Sequence, residues 1–259
     1  MRIKQSICYP IFKRDDLSMD ELFAAWAQIG GAAVELWGWD ESVDDIAATA
    51  RKHDLPLASM GGHASLGDGL NKRANHDRIE AELRRSIDKA AELGIPGLIC
   101  FSGNCQPHVD DVAAIDACAD GLRRVAPYAE ERGVNLNMEL LNSKVNHAGY
   151  QCDHTAWGVA VCEKVASPRV KLLYDIYHMQ IMEGDVIATI RENIQWIGHF
   201  HTAGVPGRHD MDDTQELNYR GICAAIAETG YDLYVGHEFT PKGDPIEALR
   251  QAFAVCNQG

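Results

Sequence analysis

At 259 residues, 46% of them apolar, the chain is long enough to bury one large core, and its formal charge of −14 argues against a general nucleic-acid-binding surface. No apolar run approaches the roughly 20 residues of a membrane span, and the opening residues lack the apolar stretch of a secretory signal, so a cytoplasmic protein is expected. The eight cysteines show no C-x-x-C spacing and fall mostly inside apolar patterns, which predicts reduced, buried thiols rather than a disulfide framework.

The predicted elements alternate. A strand at residues 3–8 precedes a helix announced by Ser18 and Glu21, spaced as a capping box, and stopped at Gly30 and Gly31. A second strand at 33–37, a helix at 44–53 and a third strand at 55–60 lead into a polar loop, 64–75, long enough to serve as a lid. Residues 76–93 are the most helix-like stretch, with Ile79, Leu83, Ile87, Ala90 and Ala91 on one face and Gly94 as the stop. A fourth strand at 98–101 and one helical region at 110–132 follow. The second half continues with strands at 134–141, 171–175, 197–202 and 234–239, separated by helices at 154–165, 184–193 and 219–229. A last helix at 245–256 opens on Pro245. Eight strand–helix units without a linker predict parallel strands and a single-domain (β/α)8 TIM barrel over residues 1–259. An open doubly wound sheet would carry a glycine-rich phosphate turn after its first strand, and residues 8–14 hold none.

The stretch from Lys171 to His178 carries the chemistry most plainly, because a buried apolar strand delivers Asp175 and His178 to its exit. A carboxylate there is costly unless it meets a cation or a full set of donors. Three other strands end alike, with Glu139, His201 and Glu238. In a barrel all four strand ends open on one face, where active sites are built. Any one of these residues alone fits an ordinary ion pair; four on consecutive strands predict one metal site. Three carboxylates and an imidazole form a hard oxygen and nitrogen site suited to Mn²⁺, Mg²⁺ or Co²⁺, and acceptable to Zn²⁺.

Five motifs carry a resemblance: Asn137-Met-Glu139-Leu-Leu-Asn142, Tyr174-Asp-Ile-Tyr-His178, His199-Phe-His201 through Arg208-His209, Glu216-Leu-Asn-Tyr219 and Gly236-His-Glu238-Phe. With them the chain resembles the xylose isomerase-like TIM-barrel group of sugar isomerases and epimerases, the hydroxypyruvate isomerases foremost. The resemblance implies that Glu139, Asp175, His201 and Glu238 bind one divalent metal, with Mn²⁺ the first candidate, and that Glu139 and Glu238 form the acid/base pair. It also implies that His178 and Arg208 hold substrate oxygens and that Asn142 supports the site. Hydroxypyruvate isomerases usually carry Gln where His201 stands, whereas ketose 3-epimerases carry His and add a second Glu where this chain has Val145. The chain therefore falls between the two.

Proton-transfer chemistry is expected on physical grounds too. A hydrogen beside a carbonyl is a weak acid, and a divalent cation on the carbonyl oxygen stabilises the enediolate left by its removal. Glu139 and Glu238 would move the proton to a neighbouring carbon or to the opposite face. The expected partner is a small carbohydrate or keto acid without a phosphate, since no glycine-rich phosphate cradle is evident; no nucleic acid or membrane is expected, and pairing into a homo-oligomer is open. Trp37 and Trp39 fit either a pocket wall or rim packing, and His63 is a candidate substrate contact. Glu216 could hold Arg208 in place or lie exposed. Lys72, Arg73, Arg84 and Arg85 read as solvated charges. Rival readings are a lyase acting on a 3-oxo sugar or glycoside, a hydrolase resembling endonuclease IV, and a binding protein that has lost catalysis.

Overall fold

The structure, a computed structural model, describes residues 3–258. Eight strands run parallel and close into a barrel in chain order: β1 Lys4–Cys8, β2 Ala33–Glu35, β3 Leu57–Gly61, β4 Gly97–Cys100, β5 Asn135–Glu139, β6 Val170–Asp175, β7 Ile197–Thr202 and β8 Tyr234–His237. β8 pairs back onto β1, and at least one helix follows every strand, so the alternation does produce the (β/α)8 barrel it predicts. Local signals place the helices. Ser18 opens Met19–Ile29 with a complete capping box, and Gly30 closes it in a left-handed conformation at φ +111° that a side chain would strain. His76–Leu93 and Pro245–Cys256 cover the expected spans.

Two expectations need correction. The helical region at 110–132 is two helices, Asp111–Arg123 and Ala126–Arg132, because Pro127 has no N–H to continue the first one. The loop at 64–75 is pinned rather than poised as a lid. Leu70 N donates to Phe101 O at 3.2 Å and Asn71 N to Ser102 O at 2.7 Å, and both residues are buried against the exit of β4. Seven of the eight cysteines are buried free thiols as expected; Cys105 is exposed.

The core lies between the strands and their helices, where Trp26, Phe23, Leu83, Ile87 and Leu172 are fully buried. The lumen, by contrast, is polar. Asn137 of β5 reaches across to β7, where a Cβ on Gly198 would fall 2.2 Å from its Oδ1. Glu35 of β2 reaches toward β8, where a Cβ on Gly236 would fall 1.8 Å from its Oε1. Glycine in those strands makes room for polar side chains that lead up to the barrel mouth. Among the described residues no helix is long and apolar enough to cross a membrane.

Candidate metal centre and active site

Strand register gathers the four expected ligands. Asp175 lies beside His201 in the β6–β7 ladder, and His201 beside Gly236 in the β7–β8 ladder, which places Glu238 just past the end of β8. Glu139 ends β5, its backbone carbonyl bonded by the Tyr150 hydroxyl at 3.0 Å. Asp175 also caps the helix Ile176–Met182: Oδ1 accepts from His178 N at 3.0 Å, so Oδ2 is the oxygen left for the cluster. All four side chains are buried, and one ligand atom from each lies within 4.8 Å of the others.

The geometry fits a cation. His201 Nδ1 is 3.2 Å from Glu238 Oε2, 3.5 Å from Glu139 Oε1 and 3.9 Å from Asp175 Oδ2. None of these meets Nδ1 in hydrogen-bonding geometry, so a buried nitrogen faces three carboxylates without a hydrogen-bond partner among the described residues. An ion about 2.1 Å from each ligand sets neighbouring ligands ~3 Å apart and opposite ones ~4 Å, the span observed. The electrostatics point the same way. Burial raises the carboxyl of Glu139 and lifts that of Asp175 to about 6, and the charge of Glu238 adds to both. Burial also pushes Glu238 up, but His201 and Arg208 outweigh it and hold it well below the usual carboxylate range. Burial disfavours a proton on His201, yet the charges of Glu238 and Glu35 hold it well above the usual imidazole range. A divalent cation among the three carboxylates would meet that demand for positive charge.

Most of the expected substrate-side residues surround this cluster. Glu238 is clasped from two sides, since Trp37 Nε1 donates to its Oε1 and Arg208 Nη2 to its Oε2. Arg208 sits at φ +59° in the loop after β7, with its carbonyl accepting from Thr240 N at 2.8 Å. His178 is fully buried, and its Nδ1 is 2.6 Å from Asn142 Nδ2. Asn142 Oδ1 already accepts from Val145 N and Asn146 N, so its amide must donate to His178. The His178 proton therefore sits on Nε2, a buried donor with no hydrogen-bond partner among the described residues, 3.7 Å from Asp175 Oδ2. Burial and the nearby Arg208 charge lower the His178 imidazole well below its usual range, which keeps it neutral.

Other expected residues lie elsewhere. His63 is outside the cluster, at the exit of β3, where its Nε2 accepts from Phe101 N at 2.9 Å. With Trp37, Trp39, Phe101 and Arg85 it lines a cavity of about 590 Å³ that meets the cluster at Trp37. Arg84 pairs with Glu80 as a surface charge should, whereas Arg85 opens onto this cavity. Glu216 does not hold Arg208. It is exposed and accepts from Gln180 Nε2 at 3.1 Å, while the Arg208 guanidinium is turned inward onto Glu238. The Val145 side chain is 67% exposed and brings no carboxylate to the site.

Sequence reasoning missed Glu35 and His199. Glu35 is 1% exposed; its Oε2 is 2.6 Å from His199 Nε2 and 3.2 Å from His201 Nε2, and its Oε1 accepts from Ser6 Oγ at 3.0 Å. Burial pushes the Glu35 carboxyl up, but the two imidazoles outweigh it and hold it well below the usual range. One signal was available: His199 and His201 are two apart on one strand and so share the inward face.

Comparison with known proteins adds three findings. The family model described as xylose isomerase-like TIM barrel matches residues 23–258. A protein named 2-oxo-tetronate isomerase from Cupriavidus necator is 33% identical over 88% of this chain and 89% of its own length, and a human protein with a provisional hydroxypyruvate isomerase name is 28% identical over 85% and 83%. A solved structure named as an AP endonuclease of family 2 from Brucella melitensis superposes with a TM-score of 0.84 at 24% identity, covering 98% of both chains.

Proposed function

This chain belongs to the xylose isomerase-like TIM-barrel family, and we propose that within it the protein is a divalent-metal-dependent isomerase or epimerase of a small keto sugar or keto acid. The observation that carries this reading is the buried His201 Nδ1, without a hydrogen-bond partner among three carboxylates, with a neutral donor histidine beside it. The relatives' isomerase names support the reaction class, and ketose 3-epimerases share the fold at TM-scores of 0.79 and 0.80. The AP endonuclease likeness, at 24% identity, speaks for the fold alone.

Glu139, Asp175, His201 and Glu238 would hold the cation. When bound, it would polarise a substrate carbonyl and stabilise the negative charge left when the adjacent C–H loses its proton. Mn²⁺, Mg²⁺ or Co²⁺ suits this donor set. Glu139 ends β5 and Glu238 follows β8, with β6 and β7 between them, and in this reading the two carboxylates approach a small molecule from different sides. One removes the proton from carbon, and the same or the opposite carboxylate returns one to carbon. Return to the neighbouring carbon, with the hydroxyl proton passing to the former carbonyl oxygen, is isomerisation; return to the other face of the same carbon is epimerisation. His178 Nε2–H and the Arg208 guanidinium donate to substrate oxygens and fix which hydrogen meets the base. Trp37 covers Glu238 and limits its contact with water.

The cavity beside Trp37, at about 590 Å³, favours a second reading. Its size suits a substrate longer than a three-carbon acid, and so keeps in view a lyase that acts on an oxidised sugar or glycoside through the same proton removal. A turnover assay separates these. The Mn²⁺-loaded protein should interconvert at least one of hydroxypyruvate, 2-oxo-tetronate or the ketohexoses, lose activity to a chelator and regain it with Mn²⁺. Cleavage of a 3-oxo-glycoside without isomerisation would replace the first reading by the second. No turnover of any of them would sink both.

A further inference from the structure

Glu35 lies on β2, on the opposite side of the barrel from β6 and β7, and belongs to none of the four strands that supply the candidate ligands. A carboxylate at 1% exposure in a barrel lumen is costly to desolvate, and the fold is shaped around it all the same. Gly236 leaves out the Cβ that would collide with Glu35 Oε1 at 1.8 Å, and Ser6 Oγ donates to that oxygen. The other oxygen meets His199 Nε2 at 2.6 Å and His201 Nε2 at 3.2 Å.

An imidazole offers a lone pair on one nitrogen only when its proton is on the other. When a cation takes the place of the second proton, a carboxylate against Nε2 keeps the remaining His201 proton there and leaves the Nδ1 lone pair on the side of Glu139, Asp175 and Glu238. Without that carboxylate, the three acidic side chains would draw the proton to Nδ1 and close the nitrogen to a cation. We propose that Glu35 is the positioning residue of this site: a buried clamp that fixes the tautomer and ring orientation of His201, with His199 as the second arm holding the carboxylate in register. The proposal rests on the reading that the four-residue cluster binds a divalent cation. It names Nδ1 as the ligand nitrogen and Nε2 as the one bonded to Glu35.

Glu35, His199 and His201 are themselves close enough to suggest a second cation. The geometry opposes it. An ion about 2.1 Å from both partners would have to hold Glu35 Oε2 and His199 Nε2, 2.6 Å apart, at an angle well below tetrahedral, whereas 2.6 Å is an ordinary charge-assisted hydrogen bond.

The test is a Co²⁺ titration of the full chain, wild type and Glu35→Gln, followed by calorimetry and visible absorption, with near-ultraviolet circular dichroism as the check on folding. The expected result is one Co²⁺ per wild-type chain, and in Glu35→Gln a dissociation constant raised 10- to 100-fold with a displaced absorption band. In turnover, the same variant should lose kcat at saturating Co²⁺ while KM changes little. Unchanged affinity and absorption in a folded Glu35→Gln protein overturns the proposal and leaves the metal reading standing. Two Co²⁺ per wild-type chain, one of them lost in Glu35→Gln, overturns it in favour of a second site. A wild type that binds no Co²⁺ overturns the metal reading, and the proposal with it. Should Glu35→Gln fail to fold, ring-nitrogen NMR of the Zn²⁺-loaded wild type decides: a protonated Nε2 and a metal-shifted Nδ1 on His201 support the clamp, and the reverse assignment overturns it.

Discussion

A proton held on one nitrogen decides what His178 can do. The Asn142 amide donates to Nδ1, so Nε2 carries hydrogen into a buried site where nothing among the described residues accepts it. Such a donor is expensive to leave unpaired, and a substrate oxygen repays that cost only when bound. Glu238 is the complementary case, an acceptor gripped by Trp37 and Arg208. Glu238→Gln keeps the shape and one acceptor oxygen, enough for Trp37 or Arg208 but not both, and cannot take a proton. Turnover should fall by roughly 10³ or more, with the circular dichroism spectrum unchanged; a variant retaining a tenth of wild-type kcat would remove Glu238 from the acid/base pair. His63 gives a pH prediction. Burial lowers its imidazole to about 4, and Phe101 N–H bonds only the unprotonated Nε2. The unfolded imidazole takes up its proton near pH 6.5, so between about pH 6.5 and 4 the unfolded chain binds more protons and stability falls as pH falls. His63→Gln has no such proton to gain. Its stability deficit relative to wild type should therefore shrink on going from pH 7 to pH 4, by on the order of 3 kcal/mol or less, as read from urea midpoints at each pH. A deficit constant across that range would show that His63 titrates as in water.

At the level of elements, function depends on what strands far apart in sequence do for each other. β8 supplies Glu238 just past its end and, at Gly236, the space that lets Glu35 of β2 stand under His201 of β7. Gly236→Ala should lower stability by about 1–3 kcal/mol, since its Cβ would lie 1.8 Å from Glu35 Oε1, and should weaken metal binding in the same protein. Gly38 is the control, for nothing lies within 4 Å of a Cβ there and its φ is not in the left-handed region; Gly38→Ala should unfold at the wild-type urea midpoint. Equal midpoints for the two variants would mean that Glu35 yields freely. This dependence also marks the limit of what the sequence made legible. Alternation and glycine or proline punctuation were enough for the barrel, and carboxylates and a histidine at strand exits were enough to propose one cluster. Glu35 was not legible, because β2 is three residues long and its single carboxylate resembles any polar residue beside a turn; only barrel closure brings it beneath β7. The loop at 64–75 looked free because its polar residues gave no hint that Leu70 and Asn71 pack against β4. Glu216 was matched with Arg208 because their motifs follow one another in the chain, but the loop carries the two side chains in different directions, to Gln180 and to Glu238.

For the whole molecule, the site is a concentration of negative charge inside an acidic protein of formal charge −14. A cation that binds only the folded barrel stabilises all of it. Mn²⁺ at a hundredfold excess over its dissociation constant contributes about 2.7 kcal/mol, which in a chain of this size raises Tm by roughly 5–10 °C. A thermal scan with and without chelator reads this directly, and the Glu139→Gln protein should respond less than wild type; superimposable wild-type scans would speak against a resident cation. The central claim is that buried carboxylates move a proton at a carbon beside a carbonyl. The most direct measurement is deuterium uptake by hydroxypyruvate, 2-oxo-tetronate or a ketohexose in D₂O, followed by mass spectrometry. Wild type should incorporate one deuterium at that carbon with Mn²⁺ and none after chelation, and Glu238→Gln should incorporate none in either state. Turnover of a substrate whose product carries no solvent deuterium under dilute, early-time conditions, in Mn²⁺-loaded wild type, would contradict the claim and point to a hydride shift.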